Sequence, residues 1–222
     1  MITVHHLNNS RSQRVLWLLE ELGVPYELKL YQRDPKTMLA PPELRAIHPL
    51  GKSPVVSDGE NVVAESAAIL EYLLDRHDQG RLRPAPGTPE HLRYRYFLHY
   101  PEGSLMPLML LALVFGRMPD NNVPFLLKPL LAGVSKQAQQ QFIGPQVKLH
   151  LDFLEGELKG RRWLLGDALS AADIQMSFAI EAAASPAGYA PSYPELARYL
   201  GQIHAQPAYQ RAIQRGGPFK LG

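Results

Sequence analysis

The sequence predicts a two-part molecule, an α/β domain followed by an all-helical one, and three observations predict it. Strand-like and helix-like periodicities alternate through the first third of the chain. Between Asp78 and Glu90 a stretch with three prolines and two glycines interrupts the patterning, the composition of a linker. Beyond it long apolar runs of helical period dominate. The boundaries drawn on this basis are 1–80 for the first domain, 81–89 for the linker and 90–222 for the helical domain. Charge divides at the same place: residues 1–78 hold 8 basic and 11 acidic side chains, the remainder 15 and 10.

Ile2 to Leu7 is rich in apolar and β-branched residues and reads as the first strand. Val15, Leu18, Leu19 and Leu22 then recur at helical spacing until Gly23 and Pro25 stop the helix. Tyr26, Leu28 and Leu30 alternate with Glu27, Lys29 and Tyr31, as in a half-buried strand. The polar, proline-containing stretch from Gln32 to Pro49 reads as a loop. Pro54 to Val56 and Asn61 to Ala64 flank Ser57-Asp58-Gly59-Glu60, whose Asp-Gly pair marks a hairpin turn. Ser66 opens a helix striped by Ile69, Leu70, Leu73 and Leu74 that runs out near His77. Past the linker, helical patterns cover His91 to Arg117, Phe125 to Gln141, Gln146 to Leu158, Ala171 to Ala184 and Glu195 to Arg215.

The chain has 222 residues, 23 of them basic and 21 acidic. A formal charge of +2 supplies no overall field to hold nucleic acid or an anionic membrane. Met1 to Arg11 lacks the basic start and apolar run of a signal peptide. The most apolar stretch, Leu105 to Phe115, is too short for a bilayer and contains Pro107. The expectation is a cytoplasmic protein that takes a small molecule or a protein partner, without nucleic acid or membrane. Cysteine is absent, which excludes disulfides, thiolate metal sites and any mechanism that uses the protein's own sulfur nucleophile.

Gly51-Lys52-Ser53 has the look of a phosphate-binding loop, but Ala46 stands where that loop needs glycine and Pro54 blocks the helix that should follow. Hydrolase elbows and zinc-helix motifs are missing, and His5 and His6, adjacent on a strand, point to opposite faces, so no metal site is expected. Tyr94, Tyr96 and Tyr100 lie at helical spacing among apolar neighbours and read as core or interface.

Four features point to one ligand. Ser10 with Gln13 three residues later fits a capping box at the first helix. The same geometry aims a hydroxyl and the positive end of a helix at one spot, where an anion such as a thiolate gains roughly 0.3 to 2 kcal/mol. Glu65-Ser66 repeats the arrangement at another helix start, where Ser66 and nearby amides can hold a carboxylate. Ser53-Pro54 opens the hairpin, and a cis bond there would free the Ser53 backbone to pair with a peptide-like ligand. Lys52 can meet a second carboxylate. The ligand so described is a short peptide with a carboxylate at each end.

With these residues the chain resembles a glutathione transferase along essentially its whole length. Three motifs carry the resemblance: Asn9-Ser10 with Arg14 and the Leu-rich helix through Gly23-Val24-Pro25-Tyr26; His48-Pro49-Leu50-Gly51-Lys52-Ser53-Pro54-Val55; and Ala64-Glu65-Ser66-Ala67-Ala68-Ile69. A fourth, Leu169-Ser170-Ala171-Ala172-Asp173-Ile174, resembles the family's structural capping box in the helical domain.

The resemblance implies a thioredoxin-like glutathione-binding first domain and a helical domain that supplies the electrophile pocket. It implies that Ser66 and Glu65 hold the γ-glutamyl end of glutathione, that Ser53, before Pro54, pairs with the cysteinyl unit, and that Lys52 faces the glycyl carboxylate. Glu102 is placed near the ligand's ammonium group or across a subunit interface, with an exposed helix acid as the equal alternative. His48 stays outside the binding set. Ser10 is the thiol-activating candidate by position, in the manner of the serine-dependent bacterial and fungal branches, with Ser12, Asn8 and Asn9 as competitors. Leu105, Met106, Met109 and Leu110 are offered as an apolar wall, a core stripe or a dimer contact.

The expected protein is a homodimeric, detoxifying transferase joining glutathione thiolate to a small hydrophobic electrophile, with peroxidase activity as a companion. Its rivals are a glutathione-dependent isomerase or dehalogenase, and a non-catalytic glutathione-binding or scaffold protein. Glutathione is cosubstrate, and no metal is expected.

Overall fold

Two parallel neighbouring strands need a crossover between them. In the computed structural model, which describes residues 1–37, 39–120, 123–184 and 193–218, α1 (Ser12–Leu22) is that crossover between β1 (Ile2–Leu7) and β2 (Tyr26–Tyr31). β3 (Val55–Asp58) pairs antiparallel with β1 on its other side, and β4 (Asn61–Ala64) turns back onto β3. The sheet order is β2-β1-β3-β4. α1 ends where Gly23 adopts φ 69 and donates its N–H to the Leu19 carbonyl, the left-handed cap that glycine adopts most readily. α3 (Ser66–His77) follows β4.

Alternation along β1 sends Val4 and His6 toward α1 and His5 and Leu7 to the opposite face. That second face corrects two readings. Tyr31 is buried and Leu30 is 57% exposed, the reverse of the expected alternation. The reason is a short helix inside the supposed loop, α2 (Glu43–Ile47), whose Leu44 packs with Leu7 and its register partner Tyr31, while β2 lies at the sheet edge.

In the helical region α4 (Pro89–Tyr100), a π-turn at Pro101–Leu105 and α5 (Met106–Arg117) form one continuous run. Pro101 has no N–H to give to the helical ladder, and the Met106 N–H reaches back five residues to the Pro101 carbonyl. By length and composition this 29-residue run could cross a bilayer, but 44% of its most apolar window is buried inside the fold. α6 (Lys128–Ala138), a second π-turn at Gln139–Ile143, α7 (Gly144–Leu158) and α8 (Ala171–Ala184) follow. The last helical pattern, read as one helix, is two: α9 (Pro194–His204) and α10 (Pro207–Gly216). Pro207 has no N–H to extend α9, so Gln206 turns extended and α10 starts afresh.

The architecture is the predicted one, an α/β thioredoxin-like domain plus an all-helical domain. A single buried cluster runs through both, with Trp17 of α1 edge-on to Tyr209 of α10. The Ser170 box is formed at the start of α8. Asp173, fully buried, accepts from Ser170 N–H (2.9 Å), Ser170 Oγ (2.7 Å), Leu164 N–H (2.9 Å) and Tyr199 Oη (2.9 Å).

Candidate functional site

The turn from β1 into α1 brings Ser10 and Ser12 over the sheet, beside Ser53 at the mouth of the hairpin. The expected Ser10–Gln13 capping box is not formed. Arg11 is the cap residue and makes no side-chain cap bond, and the Gln13 side-chain Nε2 is buried without a partner among the described residues. Ser10 Oγ lies 2.6 Å from Ser12 Oγ and 3.3 Å from Ser53 Oγ, and it accepts from the Ser12 N–H at 3.3 Å. Those contacts within the turn and across to the hairpin displace the local cap. Ser12 is fully buried behind Ser10, its Oγ 2.8 Å from His6 Nδ1. Ser53 Oγ donates to the His5 carbonyl at 3.0 Å and accepts from the Leu7 N–H at 3.3 Å. Burial pushes the His6 imidazole below its ordinary value, partly offset by a hydrogen bond to the Gly216 backbone. Asn8 is taken up by Arg33, whose backbone N–H donates to Asn8 Oδ1 at 2.8 Å and whose Nε donates to the Asn8 carbonyl at 3.2 Å.

A second cluster lies between α3, the π-turn and α8. Glu65, Ser66, Glu102 and Gln175 line a pocket of about 370 Å³ together with Ala67, Leu98, His99 and Gly103. Glu65 holds φ 72 just before α3 and is exposed, and Ser66 is buried with no hydrogen bond among the described residues, so Ser66 does not cap the helix. Glu102, on the π-turn, accepts from Arg11 Nε at 2.9 and 3.0 Å and from Arg14 at 2.5 Å. Burial opposes the Glu102 charge, but the Arg14 and Arg11 charges outweigh it and hold the carboxyl below its ordinary value. Arg14 is fully buried against the Phe178 ring and is pushed down to about 10 by that burial, with Glu102 opposing the shift. Gln175 on α8 is fully buried, and both its amide oxygen and its amide nitrogen lack a partner among the described residues. Sequence reasoning missed Gln175 and His6; the one signal for Gln175 was a polar side chain in a helical run rich in alanine and large apolar residues.

The third group is open. The Ser53–Pro54 bond is cis. Lys52 is exposed and makes no ion pair among the described residues. Gly51, at φ 56, lets the chain turn against Arg45, since a Cβ there would lie 2.6 Å from Arg45 Cγ. His48 is half-buried, its Nδ1 unpartnered. Of the proposed apolar wall, Leu105, Met106 and Met109 belong to the core, and Leu110 is 57% exposed.

A thioredoxin-like sheet carrying two separate polar clusters, joined to a helical bundle, defines the class of protein. Comparison with known proteins then gives the family. Family models described as the glutathione S-transferase N-terminal domain and C-terminal domain match residues 10–76 and 106–207. Glutathione S-transferase 1 of Saccharomyces cerevisiae is 36% identical over 97% of this chain and 95% of its own length. Glutathione S-transferase 3 of Schizosaccharomyces pombe is 33% identical over 97% of this chain and 88% of its own. A crystal structure of a glutathione S-transferase from Actinobacillus pleuropneumoniae is 36% identical, with a TM-score of 0.80 over 97% of this chain and 93% of that one. The chain belongs to the glutathione S-transferase family and is an enzyme of that family.

Proposed function

We propose that this enzyme binds glutathione across the two polar clusters and conjugates its thiolate to a small hydrophobic electrophile, in the serine-dependent manner, with Ser10 as hydrogen-bond donor to sulfur. Residues 1–80 form the peptide-binding domain, joined in that site by Glu102 and Gln175, 81–89 link, and 90–222 complete the electrophile pocket. The observation that carries the reading is the 370 Å³ pocket, where an unengaged Ser66 hydroxyl and an unpartnered Gln175 amide face the same space as Glu65 and Glu102. A buried amide without partners costs about 1–3 kcal/mol per group, and an amino-acid terminus with both ammonium and carboxylate supplies what each end of it lacks. Ser53 takes the cysteinyl unit and Lys52 the glycyl carboxylate, which places the sulfur near Ser10.

With no cysteine in the chain the reactive sulfur must come with the ligand. A Ser10 hydroxyl hydrogen bond favours the thiolate over the thiol and lowers the thiol pKa. The cytoplasm is the compartment that fits a detoxifying role, and a second copy is placed on the open cleft of about 920 Å³ along α4 and α7, where Leu92 is 72% exposed.

One observation favours a binding member without turnover: Ser10 is only 4% exposed and already has partners. The test is retention on immobilised glutathione followed by assays with an aryl halide, an organic hydroperoxide and a maleyl compound. Retention with aryl-halide conjugation is expected. Loss of retention defeats the reading; turnover of the hydroperoxide or maleyl compound alone reassigns the chemistry, and retention without any turnover favours the binding protein.

A further inference from the structure

His6 is a buried titratable group that the mechanism above leaves without a part. It sits 4% exposed on the α1 side of β1, its Nδ1 at 2.8 Å from Ser12 Oγ, which is in turn 2.6 Å from Ser10 Oγ. On its other side the ring meets the end of α10 and is hydrogen-bonded to the Gly216 backbone. The approach is close: a Cβ at 216 would lie 2.5 Å from Leu16 Cδ1 and 3.1 Å from His6 Cε1, so any side chain there would have to push those side chains aside. The three side chains form a line from the interior to the Ser10 hydroxyl.

The number of protons decides how that line points. A neutral imidazole has one N–H and one bare nitrogen. The bond to the Gly216 backbone favours the protonated ring, so the backbone group is a carbonyl and the nitrogen facing it carries the hydrogen. Nδ1 is then bare and Ser12 donates to it. A hydroxyl has one proton, and Ser53 gives its own to the His5 carbonyl, so the Ser10 proton has two acceptors, Ser12 Oγ at 2.6 Å and Ser53 Oγ at 3.3 Å; on the shorter contact it fills the Ser10–Ser12 bond and Ser10 offers outward only lone pairs. A proton added at Nδ1 reverses every donor: the ring donates to Ser12, Ser12 to Ser10, and Ser10 outward.

We propose that His6 is the terminal acceptor of the thiol proton of bound glutathione, acting through Ser12 and Ser10. This rests on the reading that Ser10 faces the sulfur. The thiol proton moves to Ser10 Oγ, the Ser10 proton to Ser12 Oγ and the Ser12 proton to His6 Nδ1. The S–H bond breaks with its electron pair left on sulfur, and an N–H bond forms on the ring, with no change in net charge. The thiolate compensates the buried imidazolium, and Ser10 now donates to the thiolate. Once sulfur is consumed in a thioether the imidazolium loses that counter-charge and returns its proton outward. His6 touches no ligand atom and is a positioning residue.

Burial disfavours the charged ring, so Nδ1 is bare in the free protein and a proton is held there only while the thiolate supplies the counter-charge. The charged groups on the elements packed about it are engaged elsewhere: Arg14 of α1 with Glu102, Arg215 and Arg211 of α10 with Glu20 of α1, and Lys29 of β2 over the Tyr31 ring. His5 points to the other face, bonded to Tyr31 and Ser57.

The unaltered protein tests this first. Imidazole nitrogen resonances of His6, recorded near neutral pH, should show a neutral ring without glutathione and a protonated one with it, in step with the ultraviolet absorbance of the bound thiolate. A ring that stays neutral while the thiolate forms overturns the proposal. His6→Asn keeps a hydrogen-bonding group toward Ser12 but cannot take the proton, and Ser12→Ala cuts the line. Both should raise the ionisation midpoint of bound glutathione by about one unit or more, with unchanged affinity for the thiol form measured at a pH below that midpoint. An unchanged midpoint in His6→Asn, with a raised one in Ser10→Ala, overturns the relay and leaves the Ser10 reading standing. An unchanged midpoint in Ser10→Ala removes both.

Discussion

Ser10-x-x-Gln13 at the start of α1 and Ser170-x-x-Asp173 at the start of α8 are written alike and built differently. At α8 the local rule is obeyed: Asp173 reaches back to the Ser170 N–H, and Leu164 and Tyr199 complete its four hydrogen bonds in a fully buried setting. At α1 the box is open. Ser10 turns to Ser12 and Ser53 and leaves the Gln13 amide nitrogen buried without a partner among the described residues. A capping preference set aside, with a buried amide left over, marks a position where something besides helix stability is served. The satisfied box holds two parts of the helical domain together, and the open one presents hydroxyls.

The largest stability effect should fall on the closed box. Asp173→Ala strands the Leu164 and Ser170 N–H groups and two hydroxyls, and should cost about 3 kcal/mol or more in a urea titration. A loss under about 1 kcal/mol would show that box to be replaceable and weaken the contrast. Between the extremes stands Glu102, which bridges the open region to the helical domain. Glu102→Gln should cost about 1–2 kcal/mol at neutral pH, because Arg14 is then buried beside a weaker partner.

That contribution has a pH signature. A carboxyl held below its ordinary value stabilises the fold fully above the unfolded carboxyl pKa and loses that contribution as pH falls through the lower folded value. Unfolding midpoints measured down through the acid range should therefore converge for the native protein and Glu102→Gln; parallel curves would refute the ion-pair account. The smallest stability effect belongs to Ser10→Ala, within about 1 kcal/mol by the same urea titration. There the thiolate-to-thiol ratio of bound glutathione at a given pH should drop about tenfold, one unit of pKa, read by difference absorbance.

Much of the fold was legible because it is written in local periodicity. Val15, Leu18, Leu19 and Leu22 announce a helix, Gly23 its end, and Asp58-Gly59 the hairpin, each through residues within a few positions of one another. The errors fall where a distant partner intervenes. Tyr31 is inside because Leu44 of an unforeseen short helix covers it, and the α9–α10 pattern ran past Pro207 because both helices keep an apolar face toward the core. In the site, Ser10, Ser53, Glu65 and Ser66 were visible as motifs. Gln175 was not, since it is one of three buried polar residues on α8, with Asp173 and Ser177, and nothing in the sequence sets it apart from them, and Glu102 was visible only as an acid on its helix until Arg11 and Arg14 were found against it.

The sequence by itself determined the order of elements, the two-part architecture, the family resemblance and the need for a sulfur from outside, because composition and short-range spacing encode all four. Only the tertiary structure decided that Ser10 abandons its cap for Ser12 and Ser53, that His6 stands behind them against Gly216, and that Glu65, Ser66, Glu102 and Gln175 face one pocket. Most of these contacts join residues tens to hundreds of positions apart, and which side chains meet across such distances is set by the packing of sheet, bundle and linker together.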